Sequence, residues 1–353
     1  MRILMLPGDG IGPEITDAAA TVLEQVRQSC ALDMTLERRD IGLASLATSG
    51  TTLPADVIDR IHQVEGVVLG PVSHYDYPPR VEGGINPSAE LRVTLDLFAN
   101  IRPCRTRRGI PAPGKPMDLV IVRENTEGFY ADRNMTAGSG EFMPEPDIAL
   151  AVRKITAKGS TRIARAAFEL ARERRRKVTA VHKANVLKLS DGLFLKCVRE
   201  VAAEFPDVEL DEVIVDAAAA LLIRSPERFD VIVTTNMFGD ILSDEASELT
   251  GSLGLGGAIN VGRNHCVAQA QHGSAPDIAG QGIANPASLI LSAGMLLDWL
   301  GRRHSKPGLC DAAARLCSAV DAALLDPAAC TRDVGGSAGT SAFVDAVCQA
   351  LRG

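Results

Sequence analysis

Two aspartates four residues apart, Asp240 and Asp244, follow the apolar run Asp230–Thr234 in the stretch Asn236-Met237-Phe238-Gly239-Asp240-Ile241-Leu242-Ser243-Asp244. On a helix that spacing projects both carboxylates from one face, where they repel each other unless a cation lies between them. A hard divalent ion would gain two oxygen ligands and keep other positions for water or substrate oxygens, as magnesium prefers. An isolated pair of this kind is more often a solvated polar face. Its place at the carboxyl end of a strand, where α/β proteins build sites, weighs toward metal binding.

Two more strand ends carry groups able to move protons. His182-Lys183-Ala184-Asn185-Val186 follows the run Lys177–Val181. A strand-end lysine is ordinarily a surface cation, but when partly buried near other cations it can lose its proton and serve as a general base. Arg123-Glu124-Asn125-Thr126-Glu127-Gly128-Phe129-Tyr130 follows the run Asp118–Val122, and Tyr130 is one of only 3 tyrosines. Arg92, Arg102 and Arg123 flank the same region. Guanidinium groups fit carboxylates bidentately, so three of them suit a substrate with two or more carboxylates. Singly, each is an ordinary surface residue; together they form a candidate carboxylate site.

The elements that must hold these groups alternate between short apolar runs and helical patterns, which marks an α/β protein. Arg2–Leu6, Gly66–Leu69, Asp118–Val122, Lys177–Val181 and Asp230–Thr234 read as strands. Pro13–Val26, Pro54–Val64, Thr161–Arg174, Leu187–Glu204 and Asp240–Leu249 read as helices, and Pro13 and Pro54 suit a first turn, where a missing N–H costs nothing. The last hundred residues read as mostly helical, most clearly at Pro286–Leu300 and Leu309–Leu324. Between Asp132 and Pro146 the chain is rich in Gly, Met and Pro, and Asp147–Ile155 then turns strand-like. Such an excursion inside a compact domain is usually functional or interfacial, and it reads as an arm. Pro7-Gly8-Asp9-Gly10-Ile11-Gly12-Pro13 stands where a dinucleotide fingerprint would. Its spacing is G-x-G-x-G rather than G-x-G-x-x-G, so the cofactor is expected elsewhere.

At 353 residues, 46% hydrophobic and 23% charged, the chain has an ordinary globular balance and length enough for two lobes. A net charge of −7 provides no basic footprint for nucleic acid; the one basic run, Arg172 to Lys177 with Glu173 inside it, reads as a solvated helix end. Eight cysteines without a CxxC pair support neither zinc nor a redox dithiol. Ile278 to Leu297 carries no charge, but Gly280, Gly282, Asn285 and Pro286 interrupt it, so it reads as a loop entering a core helix rather than a membrane span. Only Ile3–Leu6 lie between Arg2 and the Pro7-Gly8-Asp9 break, too few for a signal-peptide core. The expectation is a cytoplasmic protein with no membrane partner.

Taken together, these motifs resemble those of the β-decarboxylating dehydrogenases, the family of isocitrate, 3-isopropylmalate, homoisocitrate and tartrate dehydrogenases. The resemblance rests on Gly8–Glu14, Arg92 with Asp96–Pro103, Arg123–Tyr130, His182–Lys188, Asn236–Asp244, His272–Gly280 and Ile283–Pro286, in that order along nearly the whole chain. It implies a two-lobed open α/β sheet of the isocitrate/isopropylmalate dehydrogenase type, distinct from the Rossmann fold. One lobe, for NAD, would combine residues 1–100 and 252–353. The other, 101–251, would hold substrate and metal and form the dimer, with the arm at about 131–157.

The resemblance also implies roles. Arg92, Arg102 and Arg123 would hold substrate carboxylates, with Asn86, Ser88 and Asn185 as further substrate contacts. Mg²⁺ or Mn²⁺ would lie on Asp240, Asp244 and Asp216. Lys183 would take the hydroxyl proton, and Tyr130 would protonate the carbon left by carbon dioxide. In the family the lysine and one metal aspartate cross a dimer interface, so Lys183 and Asp216 would complete the neighbour's site in a homodimer. NAD would lie against Ile11, His272, Gly273, Ser274, Ala275, Asp277, Ile278 and Asn285. A carboxylate at 277 accepts hydrogen bonds from both ribose hydroxyls and repels a 2′-phosphate; relatives using NADP typically carry Lys-Tyr where this chain has Asp277-Ile278.

The substrate implied is a 2-hydroxy di- or tricarboxylate of the 3-substituted malate type. Isopropylmalate enzymes carry a leucine pair three and four residues before the first arginine, where this chain has Ala89 and Ser88. Isocitrate enzymes usually carry Ser and Asn six and four residues before it; here Asn86 and Ser88 hold those places in reversed order. Isocitrate is therefore the first choice, with 3-isopropylmalate, tartrate or malate as alternatives. The upstream loop with His74, Tyr75 and Tyr77 has no counterpart in the named members. A non-catalytic regulatory subunit would have lost a metal aspartate or the tyrosine–lysine pair, and this chain keeps them all. A purely structural oligomer would have no use for three carboxylate-binding arginines.

Overall fold

The computed structural model describes residues 1–130, 135 and 138–353. The amino-terminal part runs β1 (Arg2–Leu6), α1 (Gly12–Ser29), β2 (Thr35–Arg38), α2 (Gly42–Ser49), α3 (Ala55–Ile61), β3 (Gly66–Leu69) and α4 (Pro87–Thr94). The middle part runs β4 (Ala99–Arg105), β5 (Asp118–Glu124), β6 (Glu141–Glu145), β7 (Ile148–Ala151), α5 (Ala157–Arg172), β8 (Lys177–His182), α6 (Ser190–Ala202), β9 (Glu209–Ile214), α7 (Val215–Arg224), β10 (Val231–Thr234) and α8 (Asn236–Leu249). The chain closes with β11 (Ile259–Val261), β12 (Cys266–Gln269), α9 (Ala287–Arg303), α10 (Pro307–Ala323) and α11 (Thr340–Arg352).

Ten of the described strands form one sheet in the order β2-β1-β3-β12-β11-β4-β5-β10-β8-β9. β2, β1, β3 and β12 are parallel, as are β5, β10, β8 and β9. Between the two blocks every pairing is antiparallel: β12 with β11, β11 with β4, and β4 with β5. The blocks therefore run in opposite senses and meet at β11 and β4, a reversal of the kind beside which α/β proteins place ligands. One hydrophobic core joins both chain ends, with Ile3, Ile15, Leu23, Leu296, Leu316 and Phe343. Another fills the middle part around Val122, Ile163, Phe168, Phe194, Val198 and Val233.

β4 escapes a pattern reading for a physical reason. Its burial alternates with Asn100, Arg102 and Cys104 inward and Ile101 half-buried, so polar side chains occupy the face an amphipathic strand would fill with apolar ones. Its β identity comes from pairing with β5 and β11 rather than from composition. α8 begins at Asn236, four residues before the expected start at Asp240, because the helix follows directly on β10. α6 starts later than expected, at Ser190: Val186 N and Leu187 N both close on Lys183 O in a turn of their own.

The expected arm falls partly on positions 131–134, 136 and 137, which lie outside the described residues. Its described portion contains the antiparallel hairpin β6–β7, in which every residue is exposed. No helix among the described residues is long and apolar enough to cross a membrane.

Candidate active site

β4, β5 and the first turns of α8 bring the charged groups together. Arg123, at the end of β5, is 1% exposed and donates to Asn236 Oδ1 from Nε at 2.9 Å and from Nη2 at 2.7 Å. Its Nη2 also donates to Tyr130 Oη at 2.8 Å, and its Nη1 pairs with Asp240. Tyr130 in turn donates to Asp240 Oδ2 at 2.6 Å. Arg102, on the inward face of β4, reaches Asp240 Oδ1 at 3.2 Å, Asp244 Oδ1 at 3.1 Å and Ser243 Oγ at 2.7 Å. The spacing that put both aspartates on one helix face thus presents them to two buried guanidinium groups. Gly239 has to be a glycine here, because a Cβ would meet the Arg123 side chain at 2.7 Å.

The electrostatics follow from this packing. Burial alone would raise the Asp240 carboxyl, but the charges of Arg123 and Arg102 outweigh it and hold the group below the usual carboxylate range. Asp244 moves the other way: burial, reinforced by the neighbouring Asp240 charge, overcomes Arg102. Burial and the Asp240 charge also raise Tyr130 against the pull of Arg123, so its phenol stays protonated. A protonated donor, an ionised carboxylate and two guanidinium groups are the parts that carboxylate binding and proton delivery require.

Lys183 and Asp216 occupy a separate place. Lys183 follows β8, Asp216 lies in the first turn of α7, and the two form an ion pair with each other. That pair lowers the Asp216 carboxyl. Buried Asp191 anchors the lysine backbone, accepting from Lys183 N at 2.5 Å while pairing with Arg153. Asn185 is exposed on the turn that follows. Among the described residues no three His, Cys, Asp or Glu side chains cluster for a metal, so within one protomer Asp216 does not join Asp240 and Asp244. Asp240 and Asp244 alone offer two hard oxygen donors on one helix face, enough for two of the six positions of an octahedral ion that keeps water or substrate in the others.

The turn expected to meet substrate is held by two hydrogen bonds of its own. Asn86 is the N-cap of α4, its Oδ1 accepting from Ala89 N at 3.2 Å. The cap uses the Asn86 oxygen and leaves its amide nitrogen without a partner among the described residues. Ser88 donates instead to Gln269 Oε1 at 3.2 Å, and Arg92 lies one turn further along the same helix.

The glycine turn after β1 is structural. Ile11 N donates to Ser274 O at 2.8 Å, and Gly10, at φ 60°, lets the two segments touch, since a Cβ there would lie 2.0 Å from that oxygen. Buried Asp9 accepts from Leu43 N at 2.7 Å, Ser73 N at 2.9 Å and the Tyr77 hydroxyl. His272–Gly280 thus packs against the amino-terminal turn. His272 Nε2 is buried and has no hydrogen-bond partner among the described residues, and burial lowers the imidazole so that it stays neutral. Asp277 and Gly273 are exposed, with Ala275 and Ile278 half-buried beside them. With Nδ1 donating to Gly273 O at 3.0 Å, the neutral ring presents Nε2 as an acceptor, which fits the amino group of a bound adenine, while the open Asp277 carboxylate fits ribose hydroxyls. Asn285 donates to Asp333 Oδ2 at 2.8 Å and accepts from Ala287 N at 2.9 Å. Glu14 ties the following loop down by accepting from Ala284 N at 3.1 Å and Gly282 N at 3.2 Å.

Sequence reasoning passed over Asn236, Ser243, Gln269, Asp9, Glu14 and Asp333. Asn236 and Ser243 sit inside the aspartate stretch, and their spacing from Asp240 is the signal that would have found them. Asp9 and Glu14 stand in the Gly8–Glu14 run, while nothing local marks Gln269 or Asp333.

Residues 2–347 match the family model described as isocitrate/isopropylmalate dehydrogenase, and the chain belongs to that family of dehydrogenases. It is 44% identical to the isocitrate/homoisocitrate dehydrogenase of Thermus thermophilus, covering 99% of this chain and 98% of the relative. It is 38% identical to the 3-isopropylmalate dehydrogenase of Saccharolobus solfataricus, covering 98% of each. The crystal structure of isocitrate dehydrogenase from Methylococcus capsulatus superposes with a TM-score of 0.87 at 40% identity, covering 100% of this chain and 99% of that one.

Proposed function

We propose that this chain is an NAD-dependent, divalent-metal-dependent enzyme that oxidatively decarboxylates a 3-substituted malate, with isocitrate the first choice. The observation that carries the reading is the convergence of Arg102, Arg123 and Tyr130 on the Asp240–Asp244 pair, within hydrogen-bonding reach of one another. Arg92, Arg102 and Arg123 bind the substrate carboxylates. Asp240, Asp244 and the partner's Asp216 would hold a Mg²⁺ or Mn²⁺ ion, which would supply positive charge where negative charge develops on the substrate oxygen. The partner's Lys183 would take the proton of the 2-hydroxyl, and NAD⁺, held along His272–Ile278, would supply the acceptor for the C2 hydride. Once C2 is a ketone, the bond to the β-carboxylate breaks, carbon dioxide departs, and Tyr130 returns a proton to C3.

The dimer reading has its own support. An isolated two-stranded hairpin is at best marginally stable in water, yet β6–β7 exposes Phe142, Met143, Ile148 and Leu150. Val186, Leu189, Ile223 and Ile241 are exposed near Lys183, on α7 and on α8, and Leu189 is 90% exposed. A second copy covering both surfaces would bring Lys183 and Asp216 toward its own aspartate pair. Lobe boundaries at 100/101 and 251/252, and a cytoplasmic location, belong to the same proposal.

One observation favours 3-isopropylmalate as a second reading: Tyr75 and Val81 stand 92% and 94% exposed in the loop before α4, apolar surface that a branched substituent could recruit. The test is NAD⁺ and NADP⁺ reduction, with Mn²⁺ and with EDTA, on isocitrate, homoisocitrate, 3-isopropylmalate, tartrate and malate side by side. Reduction of NAD⁺ with one substituted malate, abolished by EDTA, is the expected result. Full activity in EDTA, or none on the whole panel, refutes the reading.

A further inference from the structure

A ladder of side-chain amides crosses the middle of the sheet, and its polarity is set from one end. Arg102 Nε can only donate, and it donates to Asn100 Oδ1 at 2.5 Å. The Asn100 amide nitrogen must then face away, and it donates to Ile259 O at 3.2 Å and Asn260 Oδ1 at 3.1 Å. Asn125 Nδ2 donates to the same Asn260 oxygen at 3.0 Å, its own orientation fixed by Leu97 O at 2.9 Å. With its oxygen taken twice, Asn260 turns its nitrogen to Gln269 Oε1 at 3.2 Å. Ser88 Oγ donates to that same Gln269 oxygen, also at 3.2 Å.

The ladder therefore ends on an amide that cannot be turned round. Gln269 Nε2 has no acceptor among the described residues and is not fully buried, so it remains open to a ligand. It does so beside Ser88, four residues before Arg92 on α4 and hence on the same helix face. Asn86, the other polar residue of that turn, gives its oxygen to the helix cap, and no further residue fixes where its amide nitrogen points.

We propose that Gln269 is the specificity-determining residue of this site: its outward amide N–H group reads a C3 substituent that ends in a hydrogen-bond acceptor, a carboxylate foremost. This rests on the functional reading above and sharpens it. A donor that a bound apolar group would cover and leave unpaired discriminates more strongly than a missing methylene contact. Ser88 acts as a positioning residue, holding the amide in register with Arg92.

The test uses the intact protein with Mn²⁺ and two non-oxidisable ligands measured by calorimetry. Tricarballylate carries a carboxymethyl branch and isopropylsuccinate an apolar one. Gln269→Glu retains an acceptor for Ser88 and Asn260 but replaces the outward donor with an oxygen. It should weaken tricarballylate by at least about tenfold, the usual worth of a hydrogen bond to a charged group, and change isopropylsuccinate by less than about threefold. Gln269→Leu should shift the preference in the same direction, and circular dichroism of both variants reports folding. Unchanged tricarballylate binding in Gln269→Glu, equal losses for both ligands, or a loss confined to NADH affinity would overturn the assignment. Turnover of the substituted malates by the wild-type protein judges the functional reading separately: tight ligand binding without turnover refutes that reading while leaving the selectivity ratio to decide Gln269.

Discussion

Tyr130 donates its hydroxyl proton to Asp240 Oδ2 at 2.6 Å and accepts from Arg123 at 2.8 Å, so the proposed proton donor touches both a metal-type carboxylate and a substrate-type arginine. In the proposed mechanism an ion taken up by Asp240 would compete for the oxygen that now accepts from Tyr130, and would free the phenol to give its proton to substrate.

Tyr130→Phe is predicted to lower kcat by about 100-fold or more, the usual contribution of a positioned general acid, with little change in substrate KM. Steady-state kinetics on the preferred substrate checks this. Unchanged kcat would remove Tyr130 from the mechanism.

Asp240→Asn should raise the Mn²⁺ concentration needed for half-maximal activity by an order of magnitude or more, roughly the effect of losing one charged ligand. The same variant has a pH signature. The folded-state value of Asp240 lies below its ordinary 3.8, so its contribution to stability is complete above that pH and is lost as pH falls further. Asp244, shifted upward, contributes with the opposite sign. Metal-free Asp240→Asn should therefore show a flatter loss of stability below about pH 4 than wild type in urea titrations. A parallel acid limb in both proteins would contradict the assignment.

Shared sites predict complementation. In a dimer of one Lys183→Met and one Asp240→Asn protomer, one site receives both lesions and the other neither. Random exchange makes half of the dimers mixed, and each mixed dimer has one intact site of two, so about a quarter of wild-type activity should return. Proven subunit exchange with no recovery would rule out the crossing of Lys183 between protomers.

Asn86→Ala should destabilise the protein by about 1 kcal/mol through loss of the α4 cap, whereas Asn86→Asp, also a good cap, should not. Denaturant midpoints measure both. If Asn86→Ala changed substrate selectivity by more than tenfold at unaltered stability, Asn86 would be a substrate contact after all.

What the residue order alone made legible was whatever depends on near neighbours. Asp240 and Asp244 share a face because a helix repeats every 3.6 residues. The apolar runs Arg2–Leu6 and Gly66–Leu69 became β1 and β3 at those same bounds, punctuated by glycine and proline. The long ordered motifs sufficed to place the chain in its family. Folding decided which groups meet across long separations. Arg102 and Asp244 are 142 positions apart, Asn100 and Asn260 are 160 apart, and Ser88 and Gln269 are 181 apart. It also decided that Asn86 caps a helix, that Lys183 pairs with Asp216 inside one protomer, and that β4 turns its polar side chains inward. Local composition carries no trace of these, because a hydrogen bond's partner is chosen by sheet order and lobe packing, not by the residues on either side of it.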